Sequence, residues 1–194
     1  KLDLKDSVSC IFVGDGSTEE GVFFETVNIC ATKQLPVLFI CENNLYSVYS
    51  ALSERQPKTR KIYQMVESMN ISSNQADGND VDEVFLKTAE AIDKIRSGKG
   101  PQFIEFSTYR WLEHCGPNYD NDIGYRTEDE FLSWKTKDPV ANYENKLLST
   151  NFITEVELEK IRDSIEKQIT QAFDFAEQSP FPKFDEVDSF IFKS

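Results

Sequence analysis

The sequence predicts an α/β fold, a mostly parallel sheet flanked by helices with a helical C-terminal tail. Two short apolar runs, at residues 7–13 and 36–41, have the composition of strands buried on both faces, as in parallel sheets. The segment between them, residues 17–34, has the length and composition of a helix. Strand, glycine-rich turn, helix and strand in this order form one unit of a parallel sheet.

The first turn is Gly14-Asp15-Gly16, and Ser17 and Glu20 have the spacing of a capping box that would start the helix. We therefore expect the free backbone N–H groups of a helix N-terminus beside Asp15. Such groups bind anions such as phosphate.

The second strand is followed by Asn43-Asn44. Asp15 and Asn44 would both lie just past the carboxyl ends of their strands, where open α/β sheets bind ligands. Their side-chain oxygens are hard donors of the kind that Mg²⁺ prefers. A carboxylate beside a phosphate is favourable when a divalent cation bridges the two, so the pattern indicates a magnesium–phosphate site.

Two commoner glycine-rich loops do not fit these residues. A dinucleotide fingerprint would need glycine where Glu19 stands, and a P-loop would need lysine after Gly21, where the chain has Val22. On the short motifs alone, one alternative stays open, because Gly-Asp-Gly and Asn-Asn are also common in tight turns without a ligand.

The rest of the chain predicts further strands and helices around two loops. Helices are expected at 61–69 and 81–96, with strands at 71–75 and 102–109. Glycine and proline after residue 96 end the second of these helices. Three helices follow, at 128–134, 140–148 and 154–176, the last with a capping box at Thr154 and Glu157. Loops are expected at 45–57 and 110–126. We divide the chain into an α/β core, residues 1–126, and a helical region of the same domain, residues 127–194.

Charge and cysteine content narrow the class of protein. A net charge of −13 argues against nucleic acid or an anionic membrane as a partner, because both attract basic surfaces. No apolar run approaches the length of a membrane helix. The four cysteines lack metal-type spacing, and the three in apolar segments, Cys10, Cys30 and Cys41, are expected to be reduced core residues. A cytoplasmic protein is expected.

The spacing of the two turns resembles a known motif. Asp15 and Asn44 are 44 − 15 = 29 residues apart, and this arrangement of GDG and NN resembles the thiamine diphosphate-binding motif. The surrounding sequence, VGDGSTEEGVFFETVNICATKQLPVLFICENNLYSV, resembles the α subunit of thiamine diphosphate-dependent 2-oxoacid dehydrogenases, of the pyruvate or acetoin dehydrogenase first-component type. Later segments, DGND, RSGKGPQFIEFSTYR, YRTEDE and KDP, follow the same family in order.

The resemblance implies a thiamine diphosphate-binding fold, incomplete at its N-terminus, with thiamine diphosphate and Mg²⁺ as cofactors. Mg²⁺ would be held by the Asp15 carboxylate, the Asn44 side-chain oxygen and the Tyr46 backbone carbonyl. The backbone N–H groups of Gly16 and Ser17 would bind the diphosphate. The full set of expected cofactor contacts is Gly14, Asp15, Gly16, Ser17, Asn44, Tyr46, Val48 and His114.

The loop at 110–126 holds the only histidine of the chain, His114. The resemblance aligns His114 and Arg110 with a histidine–arginine pair near the reacting centre, so both are expected to be catalytic. His114 would orient the substrate or donate a proton. The family's other loop histidine is replaced by Leu112, and its serine is replaced by Cys115. A lone loop histidine is, without this context, more often a surface residue.

The resemblance also implies a function and partners. The protein would decarboxylate a 2-oxoacid and pass on the acyl group, in an assembly whose β subunit supplies the carboxylate that activates the cofactor. An α₂β₂ tetramer and a lipoyl-bearing acyltransferase as acceptor are expected. Two alternatives are a transketolase-like or biosynthetic thiamine diphosphate enzyme with another acceptor, and a non-catalytic scaffold that retains the fold. The sequence leaves the particular 2-oxoacid open.

Overall fold

A computed structural model describes residues 6–184 of the chain. Two compact units divide it, one ending at Tyr143 and one beginning at Glu144. The strands of the first unit are β1 (Ser9–Gly14), β2 (Val37–Asn43), β3 (Tyr46–Ser47), β4 (Ser50–Ala51), β5 (Ser72–Asp77) and β6 (Gln102–Ser107). Its helices are α1 (Gly21–Lys33), α2 (Leu52–Arg55), α3 (Ile62–Glu67), α4 (Val81–Arg96) and α5 (Glu128–Lys135). The boundary between the units falls within α6 (Pro139–Ser149), and α7 (Glu155–Gln178) follows.

Four strands form one parallel sheet in the order β1-β2-β6-β5. β2 and β6 are the two inner strands, and nearly all of their residues are buried. Because the register pairs Gly14 with Glu42, and Asn43 with Ser107, the carboxyl ends of β1, β2 and β6 lie along one edge of the sheet. The predicted mostly parallel sheet flanked by helices is confirmed.

Alternate residues of β2 enter two separate cores. Val37, Phe39 and Cys41 pack with buried residues of α1 and α3 on one face. Leu38 and Ile40 pack with α4 on the other face. This division follows from the two-residue period of a strand, which sends neighbouring side chains to opposite faces. The sheet is therefore sandwiched between helices.

The prediction that the first strand is buried on both faces is wrong. β1 is the edge strand of the described sheet, and the side chain of Phe12 is 67% exposed. Cys10 is exposed for the same reason, whereas Cys30 and Cys41 are buried as expected. An apolar run cannot by itself distinguish an inner strand from an edge strand.

The predicted capping box at Ser17 and Glu20 is also wrong. Residues Asp15–Glu19 form a short 3₁₀ helix, and Glu20 is extended, with φ −78° and ψ 142°. Helix α1 begins only at Gly21, and Glu20 makes no side-chain cap. The hydroxyl of Thr18 donates to the carbonyl of Asp15 at 2.6 Å, which stabilises the tight turn. The N–H groups of Gly16 and Ser17 therefore open a 3₁₀ turn and not the α-helix.

Beyond these corrections, the remaining predicted strands and helices of the first unit are present within about two residues, the usual uncertainty of helix ends. The predicted loop at 45–57 is not irregular: it contains the β3–β4 hairpin and helix α2. Two-residue hairpin turns favour a positive φ at their first residue, which sequence periodicity does not reveal. Here that residue is Val48, with φ +55°.

The described part of the second unit, residues 144–184, is mostly helical, as predicted for 127–194, and residues 185–194 lie outside the described residues. Thr154 and Glu157 form the predicted capping box at the start of α7, with each side chain bonded to the other's backbone. Within residues 6–184, no helix is long and apolar enough to cross a membrane. The division proposed at residue 126 stays a prediction.

Candidate functional site

The turns after β1 and β2 come together at the carboxyl edge of the sheet. The 3₁₀ turn that holds Asp15 contacts β3, the strand that follows Asn44. Gly16 lies so close to this strand that a Cβ atom there would be 2.6 Å from Ser47 Oγ. The structure thus brings Asp15, Gly16 and the Asn44–Tyr46 turn into one place, as the sequence predicts.

Asp15 is 1% exposed, and its Oδ2 atom forms an ion pair with Arg55 at the end of α2. Arg55 also pairs with Glu19, and its Nε atom donates to the carbonyl of Ser50 at 3.1 Å. Gln56 adds a bond from Nε2 to Glu19 at 2.9 Å. The first turn is therefore fixed to the segment that follows the hairpin. Arg55 was missed by sequence reasoning, since nothing in its spacing from the two motifs indicates the contact.

Two successive side-chain turns shape the Asn43-Asn44 segment. Asn43 Oδ1 accepts from the N–H of Leu45 at 3.1 Å, and Asn44 Oδ1 accepts from the N–H of Tyr46 at 3.0 Å. Leu45 has φ +71°, in the left-handed region that non-glycine residues rarely adopt. Because an amide oxygen has two lone pairs, Asn44 Oδ1 retains one acceptor position.

The backbone carbonyl of Tyr46 accepts no hydrogen bond from the partner strand of the hairpin. Leu52 N–H donates to the carbonyl of Leu45 at 2.7 Å, so the pair opposite Leu45 is hydrogen bonded. Tyr46 faces Ala51, the next pair along the hairpin. In an antiparallel ladder hydrogen-bonded and non-hydrogen-bonded pairs alternate, so the Tyr46 carbonyl is directed away from the partner strand.

These oxygens fit a magnesium ion that is shared with an anion. One carboxylate, one amide oxygen and one backbone carbonyl are all hard donors. The described residues contain no group of three or more histidine, cysteine, aspartate or glutamate side chains that could hold a metal. A divalent cation at Asp15 would therefore have at most two charged protein ligands. Mg²⁺ commonly binds in this way, through one or two carboxylates together with the phosphates of a ligand.

Arg110 connects the second predicted loop to the hairpin. Its Nη2 atom donates to the carbonyl of Val48 at 3.0 Å and to the hydroxyl oxygen of Tyr125 at 2.9 Å. Its Nη1 atom lies 3.5 Å from Nδ1 of His114, which is itself exposed. Arg110, His114 and Val48 are therefore neighbours. The main-chain strain at Val48, a β-branched residue at positive φ, is held by this contact.

A buried ionic network anchors the base of the same loop. Asp120 is 1% exposed, and its Oδ1 atom lies 2.5 Å from Nη2 of Arg126, which is 4% exposed. The Tyr125 hydroxyl donates to Asp120 Oδ2 at 2.8 Å, and Arg110 Nη2 lies 3.8 Å from the same oxygen. Burial, and then the bond to Asp120, raise the pKa of Tyr125. Asp120 thus joins the two arginines. Sequence reasoning missed Asp120, because no motif in the loop marks it.

Glu130 of α5 accepts hydrogen bonds from two tyrosines beside the site. The hydroxyl of Tyr46 donates to its Oε1 at 2.9 Å, and the hydroxyl of Tyr109 donates to the same atom at 2.9 Å. Burial, followed by the bond to Glu130, raises the pKa of Tyr46 to about 12 and also raises that of Tyr109. Glu130 ends the YRTEDE segment, so a signal was present in the sequence, although its role was not predicted.

Comparison with known proteins places the chain among relatives of one kind. Residues 1–185 match the family described as Dehydrogenase E1 component. A protein named Pyruvate dehydrogenase E1 component subunit alpha from Rickettsia bellii is 29% identical over 96% of this chain and 56% of its own length. The protein of that name from Rhizobium meliloti is 33% identical over 94% and 51%. The somatic mitochondrial form from Macaca fascicularis is 33% identical over 100% and 49%. The chain spans about half the length of the curated relatives it matches.

Proposed function

The chain belongs to the dehydrogenase E1 component family, and from this we propose that it is part of the α subunit of a thiamine diphosphate-dependent 2-oxoacid dehydrogenase. The protein decarboxylates a 2-oxoacid and transfers the acyl group to an acceptor. This chain contributes the part of the site that holds Mg²⁺ and the diphosphate. One observation carries the proposal: the turns of Asp15 and Asn44 meet at the carboxyl edge of a parallel sheet, where the 3₁₀ turn that holds Asp15 contacts β3.

The proposed metal ligands are the carboxylate of Asp15, the side-chain oxygen of Asn44 and the backbone carbonyl of Tyr46. Arg55 occupies Oδ2 of Asp15, so the other carboxylate oxygen would face the ion. The backbone N–H groups of Gly16 and Ser17, in the first turn of the 3₁₀ helix, would donate to the diphosphate. Gly14 and Val48 complete the contacts that we propose for the cofactor on this chain.

When bound, thiamine diphosphate supplies the carbon nucleophile and accepts the electrons released with carbon dioxide. The contribution of this chain is to bind and orient the cofactor, and to hold protons at the loop. Arg110 Nη1 lies beside His114 Nδ1, and because a guanidinium group only donates, Nδ1 would accept and Nε2 would carry the ring proton. His114 could then donate from Nε2 to the substrate, and Arg110 would hold the substrate carboxylate.

Specific residues bear on the two alternative functions, another thiamine diphosphate enzyme and a non-catalytic scaffold. Leu112 and Cys115 replace family residues in the loop, which favours a different substrate or acceptor within thiamine diphosphate enzymes. A non-catalytic scaffold is disfavoured because Asp15, Asn44 and His114 are all retained. Activity with a soluble acceptor, in place of a lipoyl-bearing acyltransferase, would indicate the first of these alternatives.

The carboxylate that activates the aminopyrimidine ring is proposed to come from a β subunit, in an α₂β₂ assembly. The test is to express the whole α subunit alone and with its β subunit, and to measure carbon dioxide release from a panel of 2-oxoacids. We expect release only from the pair, and at least a hundredfold loss in the pair with His114→Ala, since positioned acid–base groups contribute about 10²–10⁴-fold. Turnover by the isolated α subunit would contradict the proposed division of roles.

A further inference from the structure

Glu105 is a charged residue in the middle of a strand that is buried on both faces. It lies in β6 between Ile104 and Phe106 and is 3% exposed. It faces Cys41 of β2 across the parallel ladder. Burial is the main cause that raises the pKa of the Cys41 thiol, and the charge of Glu105 is the second. Glutamate is almost never fully buried unless it is paired. Its presence in an inner strand therefore requires a reason.

Both oxygens of the Glu105 carboxylate accept hydrogen bonds from neutral donors. Oε1 accepts from Nδ2 of Asn43 at 2.7 Å, and Oε2 accepts from the backbone N–H of Tyr63 at 2.9 Å. Among residues 6–184, no arginine or lysine lies within ion-pair distance of it. Burying a carboxylate without a counter-ion is unfavourable relative to burying an apolar residue. If this position served only to pack the core, valine or isoleucine would give a more stable fold.

The bond to Asn43 continues into the candidate metal site. Because Glu105 only accepts, it fixes Nδ2 of Asn43 towards itself and Oδ1 away. That oxygen then accepts from the N–H of Leu45, which holds Leu45 at φ +71°. The next side-chain turn, from Asn44 to Tyr46, starts from this bend. The orientation of one amide in the core therefore determines the path of the segment that carries two of the proposed metal ligands.

We propose that Glu105 is a positioning residue for the magnesium–diphosphate site and acts through the side chain of Asn43. The proposal rests on the proposed function, since it concerns the same site. Residues that orient metal ligands from the surrounding shell typically change metal affinity by roughly 10–100-fold when they are replaced. Glu105 does not contact a proposed metal ligand directly, and it would act through Asn43 and the backbone of the turn.

A pair of substitutions tests this through hydrogen-bond polarity. Glu105→Gln keeps the size of the side chain, but its amide sets two donors face to face, either at Asn43 Nδ2 or at the N–H of Tyr63. Adding Asn43→Asp reverses the polarity of the pair: the new carboxylate accepts from the new amide and still accepts from Leu45 N–H. The double variant satisfies each of these groups and has the same total charge as the wild type.

The measurement is calorimetric titration of each variant of the whole α subunit, paired with its β subunit, with thiamine diphosphate in excess Mg²⁺, together with the thermal midpoint. We expect Glu105→Gln to weaken binding at least tenfold, at the lower end of outer-shell effects. We expect the double variant to return to within about threefold of the wild type, since the two changes couple. Gly21→Ala, at a position where a Cβ meets no atom within 4 Å, serves as the folded control.

Three outcomes would overturn the inference. If Glu105→Gln lowers the thermal midpoint but leaves the affinity unchanged, the residue serves only the core. If the double variant binds as weakly as Glu105→Gln, the polarity of the Asn43 contact is not the cause. If the wild type itself does not bind while remaining folded, the proposed function fails, and this inference fails with it. Only the last outcome concerns the proposed function, so the two failures are distinguishable.

Discussion

The guanidinium group of Arg55 contacts the Oδ2 atom of Asp15, so the carboxylate that we propose as a metal ligand is already held by a cation on one side. The pair joins the turn after β1 to helix α2, 40 residues further along the chain. Ligating carboxylates are commonly oriented by such a second partner. The hairpin between Asp15 and Arg55 is thereby fixed against the first turn.

Arg55→Ala should destabilise the protein, because it leaves the 1% exposed carboxylate of Asp15 without its counter-ion. Removing one partner of a buried pair costs about 3–5 kcal/mol, and we expect the lower value because the Arg55 side chain is 14% exposed. Urea unfolding followed by circular dichroism measures the change. Lys87→Ala, which breaks an exposed pair with Glu90, should change the free energy of unfolding by about 0.5 kcal/mol or less. Equal effects from the two variants would contradict the importance of the Asp15 pair.

Gly16→Ala should destabilise the contact between the two turns. The added Cβ would lie 2.6 Å from Ser47 Oγ and 2.8 Å from Ser47 Cβ, so the hairpin must move. Overpacking of this kind costs about 1–3 kcal/mol, measured as the free energy of unfolding in urea. Adding Ser47→Gly removes both clashing atoms and should recover most of the loss. Gly21→Ala, in open space, should be tolerated, and if it were as harmful as Gly16→Ala the steric explanation would be wrong.

The pKa of Tyr46, raised to about 12, gives a dependence of stability on alkaline pH. The folded protein holds the phenolic proton more tightly than the unfolded chain, where the pKa is about 10. The resulting stabilisation is complete below pH 10 and is lost as the pH rises from about 10 to about 12. The unfolding midpoint in urea should fall across this range, and it should fall less in Tyr46→Phe. A pH dependence that is identical in Tyr46→Phe would show that this residue is not its source.

Asp120→Asn should loosen the base of the 110–126 loop. The substitution leaves the guanidinium of Arg126, which is 4% exposed, without its charged partner. Loss of one member of a buried pair costs about 3–5 kcal/mol. Limited proteolysis within the loop, together with urea unfolding, measures this. Asp122→Asn removes the same charge from an exposed position two residues away and should stay within about 0.5 kcal/mol of the wild type. Loop cleavage at the wild-type rate in Asp120→Asn would contradict the anchoring role.

Much of the site could be predicted because its parts are local. The GDG and NN turns follow apolar runs, and the rule that ligands bind at the carboxyl ends of parallel strands is enough to bring Asp15 and Asn44 together. The capping box at Thr154 was likewise readable, because all of its bonds lie within four residues. At Ser17 the same four-residue pattern failed, since the bond from Thr18 to the Asp15 carbonyl favours a 3₁₀ turn.

The residues that were missed act over long sequence separations. Arg55 pairs with Asp15 across 40 positions, Glu105 with Asn43 across 62, and Glu130 with Tyr46 across 84. Neither the periodicity of the sequence nor the spacing of its motifs predicts pairs that are so far apart along the chain. Glu105 was a visible anomaly, because it is a glutamate between Ile104 and Phe106, and a charged residue in a buried strand is a signal of function that composition alone does not explain.

The proposed function depends above all on the binding of Mg²⁺ and thiamine diphosphate at Asp15. Its most direct test is a thermal-shift and calorimetric titration of the whole α subunit paired with its β subunit, as the wild type and as Asp15→Asn, with Gly21→Ala as the control. Ligand at a hundred times its Kd should stabilise the wild type and the control by about 2.7 kcal/mol. This stabilisation should be absent in Asp15→Asn. An equal shift in Asp15→Asn would contradict the assignment of Asp15 as a metal ligand, and no shift in the wild type would contradict the binding site on this chain.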